Sequence, residues 1–318
     1  MNKETMYVAS RKIEDVISEV KKAVIGKDEV IIKVMLALLA GGHILIEDIP
    51  GVGKTTMALA FSRALSLECN RMQFTPDVLP TDITGFSMYR KDTGKFEYKP
   101  GVAVCNLFLA DEINRTSCKT QSALLEIMEE GSISIDGKRF ALPKPYMVIA
   151  TQNPAGSIGT QMLPESQLDR FMIKINMGYP DVKSEVYIMK SKKNNTLDKV
   201  KTVAASSDVD ILRKLTENIY TDDGIYDYMA RLAAATRNNA MIKLGISPRG
   251  TLALAAMSRA SALVNGRTYV IPDDVSFVFS DTICHRIIPD NKAKLSGMSR
   301  ENIASEILAS TPVPRIRN

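Results

Sequence analysis

Histidine and cysteine are scarce in this chain of 318 residues: His43 and His285 stand far apart, and the cysteines at 69, 105, 118 and 284 form no C-x-x-C pair. A zinc site and a disulfide scaffold are therefore both disfavoured. Long apolar runs are missing as well. The longest, residues 34–40, stops at Gly41-Gly42, far short of the roughly 20 residues that a membrane span needs, so no membrane insertion is expected. Met1-Asn2-Lys3-Glu4-Thr5 carries an acid and no apolar stretch after it, which does not read as a signal peptide and leaves a cytoplasmic location as the expectation. Neither glycine (18) nor proline (14) is abundant enough for a collagenous or low-complexity chain. What is present is ordinary for a globular protein: 45% hydrophobic and 24% charged residues, enough to exclude disorder as the bulk state. The net charge of +5 permits anionic partners without arguing for them.

Along the chain, Val16, Val20 and Val24, then Val30, Val34 and Leu38, recur at helical spacing around a break at Gly26. Short apolar strands are expected at 43–47, 70–74, 106–110, 147–151 and 173–176, with helices at 55–65 and 120–130 between some of them. That alternation argues for a mostly parallel sheet covered on both faces. After residue 178 strand patterns become sparse, and helices are expected at 182–192, 209–220, 225–238, 248–263 and 272–287. The expected organisation is an α/β domain over 1–190, a linker region over 191–205 around the polar Lys192-Lys193-Asn194-Asn195-Thr196, and a smaller all-helical domain over 206–318.

The most specific chemistry lies at Pro50-Gly51-Val52-Gly53-Lys54-Thr55-Thr56, between a strand and a helix, which resembles a Walker A loop. Phosphate binding needs glycines that let backbone N–H groups approach oxygens, a helix N-terminus aimed at the anion, a lysine for the β and γ phosphates and a hydroxyl for magnesium. Gly51, Gly53, Lys54 and Thr55 supply these parts. The strict pattern also wants glycine at 48, where this chain has Asp48, an acid unfavourable beside a triphosphate unless it turns away. Downstream, Asn106-Leu107-Phe108-Leu109-Ala110-Asp111-Glu112 resembles Walker B, with Asp111 suited to magnesium and Glu112 to activating water.

Longer blocks extend the likeness. Leu109-Ala110-Asp111-Glu112-Ile113-Asn114-Arg115, Lys119-Thr120-Gln121-Ser122-Ala123-Leu124-Leu125-Glu126, Ala150-Thr151-Gln152-Asn153-Pro154, Leu163-Pro164-Glu165, Leu168-Asp169-Arg170-Phe171 and Ser247-Pro248-Arg249 occur in order, and the sequence is similar to the MoxR family of AAA+ ATPases. The resemblance implies an AAA+ core with a helical lid, ATP and Mg2+ as ligands, a hexameric ring, and a client protein, often one with a von Willebrand factor A domain. It implies sensor 1 at Asn153, an arginine finger at Arg170 with Arg115 as rival, and sensor 2 at Arg249, linking the lid to bound phosphate. It also implies an adenine pocket at Val24-Ile25-Gly26-Lys27, and a nucleotide cradle of Gly51, Val52, Gly53, Lys54, Thr55 and Thr56. Plainer readings stand beside these: a local ion pair of Asp169 with Arg170, a solvent-facing Arg249, and a helix break with two core residues at 24–25. Two hairpins are expected, at 85–100 and at 132–142 about an Asp136-Gly137 turn; they resemble the helix-2 insert and pre-sensor 1 hairpin, loops that touch the partner in that branch. The basic residues on them, Arg90, Lys91, Lys95, Lys138 and Arg139, equally suit solubilising tips. The function expected is ATP hydrolysis coupled to remodelling a protein; the alternatives are a DNA-acting helicase or loader and a slow nucleotide-gated scaffold.

Overall fold

Helical spacing of apolar residues fixes the first two elements. In α1 (Lys3–Lys21) Met6, Ala9, Ile13, Val16 and Val20 are buried along one stripe, and in α2 (Asp28–Leu39) the burial is broader, from Ile31 to Leu39. The computed structural model describes residues 3–49, 51–154, 162–191 and 196–314. The sheet domain continues through β1 (Ile44–Glu47), α3 (Lys54–Ala64), β2 (Cys69–Gln73), α4 (Pro80–Thr84), β3 (Gly85–Arg90), β4 (Lys95–Pro100), β5 (Leu107–Asp111), α5 (Cys118–Glu130), β6 (Ser132–Ile135), β7 (Lys138–Ala141), β8 (Met147–Gln152), α6 (Glu165–Leu168), β9 (Ile173–Ile175) and α7 (Val182–Ser191). The lid holds α8 (Ser206–Glu217), α9 (Asp223–Arg237), β10 (Ile242–Leu244), α10 (Pro248–Val264), α11 (Pro272–Ile283), β11 (Ile288–Pro289), α12 (Asn291–Leu295) and α13 (Arg300–Ser310).

Five strands form one parallel sheet in the order β2-β5-β8-β1-β9. Its centre is apolar on both faces, as a covered parallel sheet requires: every residue of β8, Ile44 to Ile46 and Leu107 to Ala110 are buried. Both expected hairpins are present. The first comes directly after the short α4 and pairs β3 with β4, with Tyr89 opposite Phe96. The second turns at Asp136 and Gly137, whose φ values of +50° and +74° are those of a primed two-residue turn. The hairpins touch each other, because Tyr98 of β4 stacks on Phe140 of β7 with ring centroids 4.1 Å apart.

Two details differ from the expectation, in the lid and at the end of α11. The lid is not wholly helical: β10 and β11 form an antiparallel ribbon, too short for any alternating pattern to reveal. The helix expected to reach residue 287 ends at Ile283, and the chain then turns so that His285 and Arg286 are buried. Residues 192–195 of the expected linker lie outside the described residues, and the remainder of that linker is pinned to the sheet domain. Val203 and Ala204 donate to the Ala64 carbonyl, Arg63 reaches the Leu197 carbonyl at 2.7 Å, and Lys201 N donates to Glu19. One apolar cluster runs from α1, α2 and the sheet into α8–α11 and α13, so the lid packs against the core rather than hanging from it.

Candidate active site

Strands β1, β8 and β5 end level with one another, since Glu47 is in register with Gln152 and Ala110 with Ala150. The loops after them share the C-terminal rim of a parallel sheet, the place where open α/β sheets bind ligands. After β1, Gly51 and Gly53 hold φ values of +89° and +97°. A Cβ on Gly51 would meet nothing within 4 Å, so glycine is required there by the backbone conformation rather than by space. Gly53 caps α3 without any side-chain hydrogen bond, which leaves the amides of the first turn, including Thr55 and Thr56, turned toward the loop. Val52 is half-buried against the core. Lys54 is buried, and its Nζ donates to the Asp48 carbonyl at 3.1 Å. The Asp48 carboxylate turns away from the loop: Oδ1 accepts from Ile49 N at 2.8 Å and Oδ2 from Gly178 N at 2.6 Å. Pro50 lies outside the described residues.

The acids after β5 sit two strands away on the same rim. Thr151 of β8 organises both, because its hydroxyl donates to Asp111 Oδ1 at 2.6 Å and accepts from Glu112 N at 2.8 Å. Glu112 takes left-handed backbone angles, φ +58° and ψ +46°, a conformation that costs a non-glycine residue about 1 kcal/mol and that collects at functional sites. Each carboxylate is also paired with an arginine: Asp111 with Arg71 of β2 at 2.8 Å, Glu112 with Arg115 at 2.9 Å. Asn153 is locked by backbone exchange with the buried Asn114, at 3.2 Å in both directions, while its own Oδ1 is buried without a hydrogen bond. The open glycine loop, the lysine with only a carbonyl to hold, and the hydroxyl and carboxylate oxygens of Thr55 and Asp111 together fit a magnesium triphosphate, and the unpaired Asn153 Oδ1, an acceptor, suits a water beside it. In the segment expected to hold adenine, Val24 is part of the core and Ile25 is half-buried. Gly26 lies against Ser184 of α7, and Lys27 donates to the Tyr179 carbonyl at 2.7 Å.

The two remaining arginines lie elsewhere. Arg170 precedes β9, where Met172 N donates to the His43 carbonyl just before β1, and the end of α5 meets His43 through the Met128 carbonyl. This is the N-terminal edge of the sheet, with the full height of the strands between it and Lys54. Arg170 pairs there with Glu129 at 3.0 Å, and Arg249 pairs with the other oxygen of the same carboxylate. Arg249 is thus held at this edge, away from the phosphate loop of its own chain. Asp169 makes no ion pair with Arg170; it holds Arg286 at 2.8 Å and the Ser247 hydroxyl at 2.9 Å. Arg71, Asn114, Thr151, Glu129 and Arg286 were not singled out in the sequence. Asn114 and Thr151 stand inside the family blocks and were findable there. The others are single charged residues on ordinary strands and helices, with no local signal.

A glycine loop between strand and helix, an apolar strand ending in paired acids, an amide on the strand between them and a helical second domain define a phosphate-loop ATPase of the AAA type. The ATPase family associated with various cellular activities (AAA) matches residues 43–173, and the AAA lid domain matches residues 234–307. The chain is 44% identical to the uncharacterized protein YeaC of Bacillus subtilis over 94% of its own length and 93% of that protein's. It is 38% identical to the chaperone MoxR1 of Mycobacterium tuberculosis, over 96% and 83% of the two chains. A crystal structure of a protein from Cytophaga hutchinsonii assigned as an ATPase superposes with a TM-score of 0.91 at 36% identity, covering 98% of each chain. The chain belongs to the MoxR family of AAA+ ATPases and is an ATPase. Among the described residues no helix is long and apolar enough to cross a membrane.

Proposed function

We propose that the protein couples ATP hydrolysis to the remodelling or activation of a partner protein, as a ring in which each site is completed by the neighbouring copy. The observation that carries this reading is the division of the chemistry between two edges of one sheet. Lys54, Asp111, Glu112 and Asn153 lie on the C-terminal rim, and Arg170 and Arg249 on the opposite edge. No single chain brings them together, so the arginines serve a neighbour's nucleotide, a cation supplied in trans being worth several orders of magnitude in rate. A hexamer is the ring that the family resemblance implies. A protein client accords with the chaperone name of the Mycobacterium relative, and a von Willebrand factor A domain on that client is what the family resemblance implies.

The residues of the rim divide the work. Lys54 exchanges the Asp48 carbonyl for phosphate oxygens, and the amides from Gly51 to Thr56 cradle the phosphates. Thr55 and Asp111 would hold magnesium once Arg71 gives up the Asp111 carboxylate; the metal supplies neutralisation of charge on the phosphates. Glu112 leaves Arg115 to take a proton from the attacking water, while Asn153 orients that water. The bond from the γ-phosphorus to the ADP oxygen breaks as the new one to the water oxygen forms, giving ADP and phosphate.

Glu112→Gln tests the reading, because it removes the base and keeps the shape. Turnover is expected to fall by about 10²–10⁴-fold with nucleotide binding intact. Held in ATP, the variant should retain a client that Lys54→Ala, unable to grip the phosphates, does not. Equal turnover in the Glu112→Gln and unaltered proteins would remove the assigned base and the mechanism with it.

A further inference from the structure

One carboxylate holds two guanidiniums. Glu129, in the last turn of α5, gives Oε2 to Arg170 at 3.0 Å and Oε1 to Arg249, so both of its oxygens are committed. Arg170 is steadied further by the Leu125 carbonyl at 2.9 Å. The residues just before the two arginines are fastened together as well. Asp169 accepts from Ser247 Oγ at 2.9 Å, and the same Oγ caps α10 by accepting from Gly250 N at 3.2 Å. Arg286, its side chain only 2% exposed, ties Asp169 to the lid and donates to the carbonyls of Phe171 and Met172 at 2.6 and 3.1 Å. The arginine of the sheet domain and the arginine of the lid are thus parts of one body.

This arrangement needs an explanation, because electrostatics oppose it. Like charges brought close repel, and Arg249 stands in the first turn of α10, where the helix dipole disfavours a cation. Glu129 offsets both terms. Yet the side chains of Glu129, Arg170 and Arg249 are 40%, 31% and 46% exposed, and the cavity beside them is lined further by Glu126, Glu130 and Arg139, the last two paired with each other. Ion pairs this exposed are weak and exchangeable, and a guanidinium carries five donors, most of which Glu129 does not use. The cluster is open to a stronger anion arriving from outside.

We propose that Glu129 is a positioning residue: it sets the spacing and aim of Arg170 and Arg249 so that the pair meets the phosphates held by the neighbouring copy as one unit. The proposal rests on the reading that the arginines act in trans, and the experiment separates the two. Glu129→Gln keeps size and partial exposure but leaves one acceptor oxygen for two arginines and turns an N–H₂ toward the other. ATP turnover by the full-length assembled variant should fall roughly ten- to a hundredfold, the cost of misplacing a catalytic group by about an ångström, with unchanged nucleotide affinity. Glu129→Asp, which retains both oxygens, should recover part of the loss.

Mixed assemblies give the reading that a merely structural role would not move. Glu129→Gln has an intact phosphate loop and badly aimed arginines, and Lys54→Ala has the reverse. Mixing them should restore activity at interfaces that combine the two intact halves, whereas mixing Glu129→Gln with Arg170→Ala should restore none, both defects lying on the donated side. Lys54→Ala with Arg170→Ala is the control. If the control recovers and Lys54→Ala with Glu129→Gln does not, or if Glu129→Gln alone turns over at the unaltered rate, the role of Glu129 is overturned while the trans reading stands. If the control itself fails to recover, the trans reading falls and this proposal with it.

Discussion

At the scale of the residue, Asp48 is the clearest case of a side chain whose role depends on where it points. Its carboxylate is spent on the amides of Ile49 and Gly178, so it anchors the start of the phosphate loop to the chain leaving β9. The loop then owes its shape partly to the residue that departs from the strict glycine pattern. Asp48→Gly, which restores that pattern, is expected to lower stability by about 2 kcal/mol through the two lost charge-assisted hydrogen bonds and the added backbone freedom. It should also weaken nucleotide affinity, since the start of the phosphate loop loses its anchor to the Gly178 amide. A thermal melt and a nucleotide titration decide it; tighter binding in the variant would show that the acid opposes the triphosphate. The loop itself was legible in the sequence, because glycines before Lys-Thr encode a backbone. The aim of Asp48 was not, because it depends on Gly178, 130 residues further on. The same holds for Arg71 and Glu129: an isolated charge carries no sign of the partner that the fold will bring to it.

Among elements, the sheet was the most legible part, since buried parallel strands must be apolar on both faces and β1, β5 and β8 are. Less visible were the ties between elements. His43, just before β1, accepts from Val148 N of β8 through Nδ1 at 2.9 Å, which leaves Nε2 to donate to the Met128 carbonyl of α5 at 3.0 Å. One neutral ring therefore fastens two strands and the helix whose last turn carries Glu129. Burial, assisted by nearby Arg213, pulls its pKa down to about 4 from the usual 6.5. A histidine lowered in the folded state contributes stability that is complete above 6.5 and is lost as the pH falls toward 4, with a slope of up to ~1.4 kcal/mol per pH unit. His285, buried against the Phe171 carbonyl, is lowered for the same reason and adds to the slope. In His43→Gln, denaturation at several pH values between 6.5 and 4 should show a shallower decline than in the unaltered protein. An identical slope would place the acid sensitivity elsewhere.

For the whole molecule, the proposed division of the site between two edges of one sheet has a consequence that no local change imitates. On that reading each copy brings a phosphate loop, two acids and an amide on one rim and two arginines on the other, and in an isolated chain the arginines face no nucleotide. Asp169, Ser247 and Arg286 hold the lid to the sheet domain beside Arg170, on the edge away from the rim. Binding and hydrolysis should therefore respond differently to dilution. Nucleotide affinity, set within one chain, is expected to stay constant as protein concentration falls. Turnover per subunit should drop steeply, by up to the 10³–10⁵-fold associated with arginines supplied in trans, over the range in which sedimentation shows assemblies giving way to single chains. Salt should shift that range upward in protein concentration if charge pairs hold the copies together, while leaving the affinity of isolated chains nearly unchanged. Turnover per subunit that stayed flat down to the monomer would mean that one chain suffices, and Arg170 and Arg249 would then have to be assigned to holding the lid rather than to the reaction.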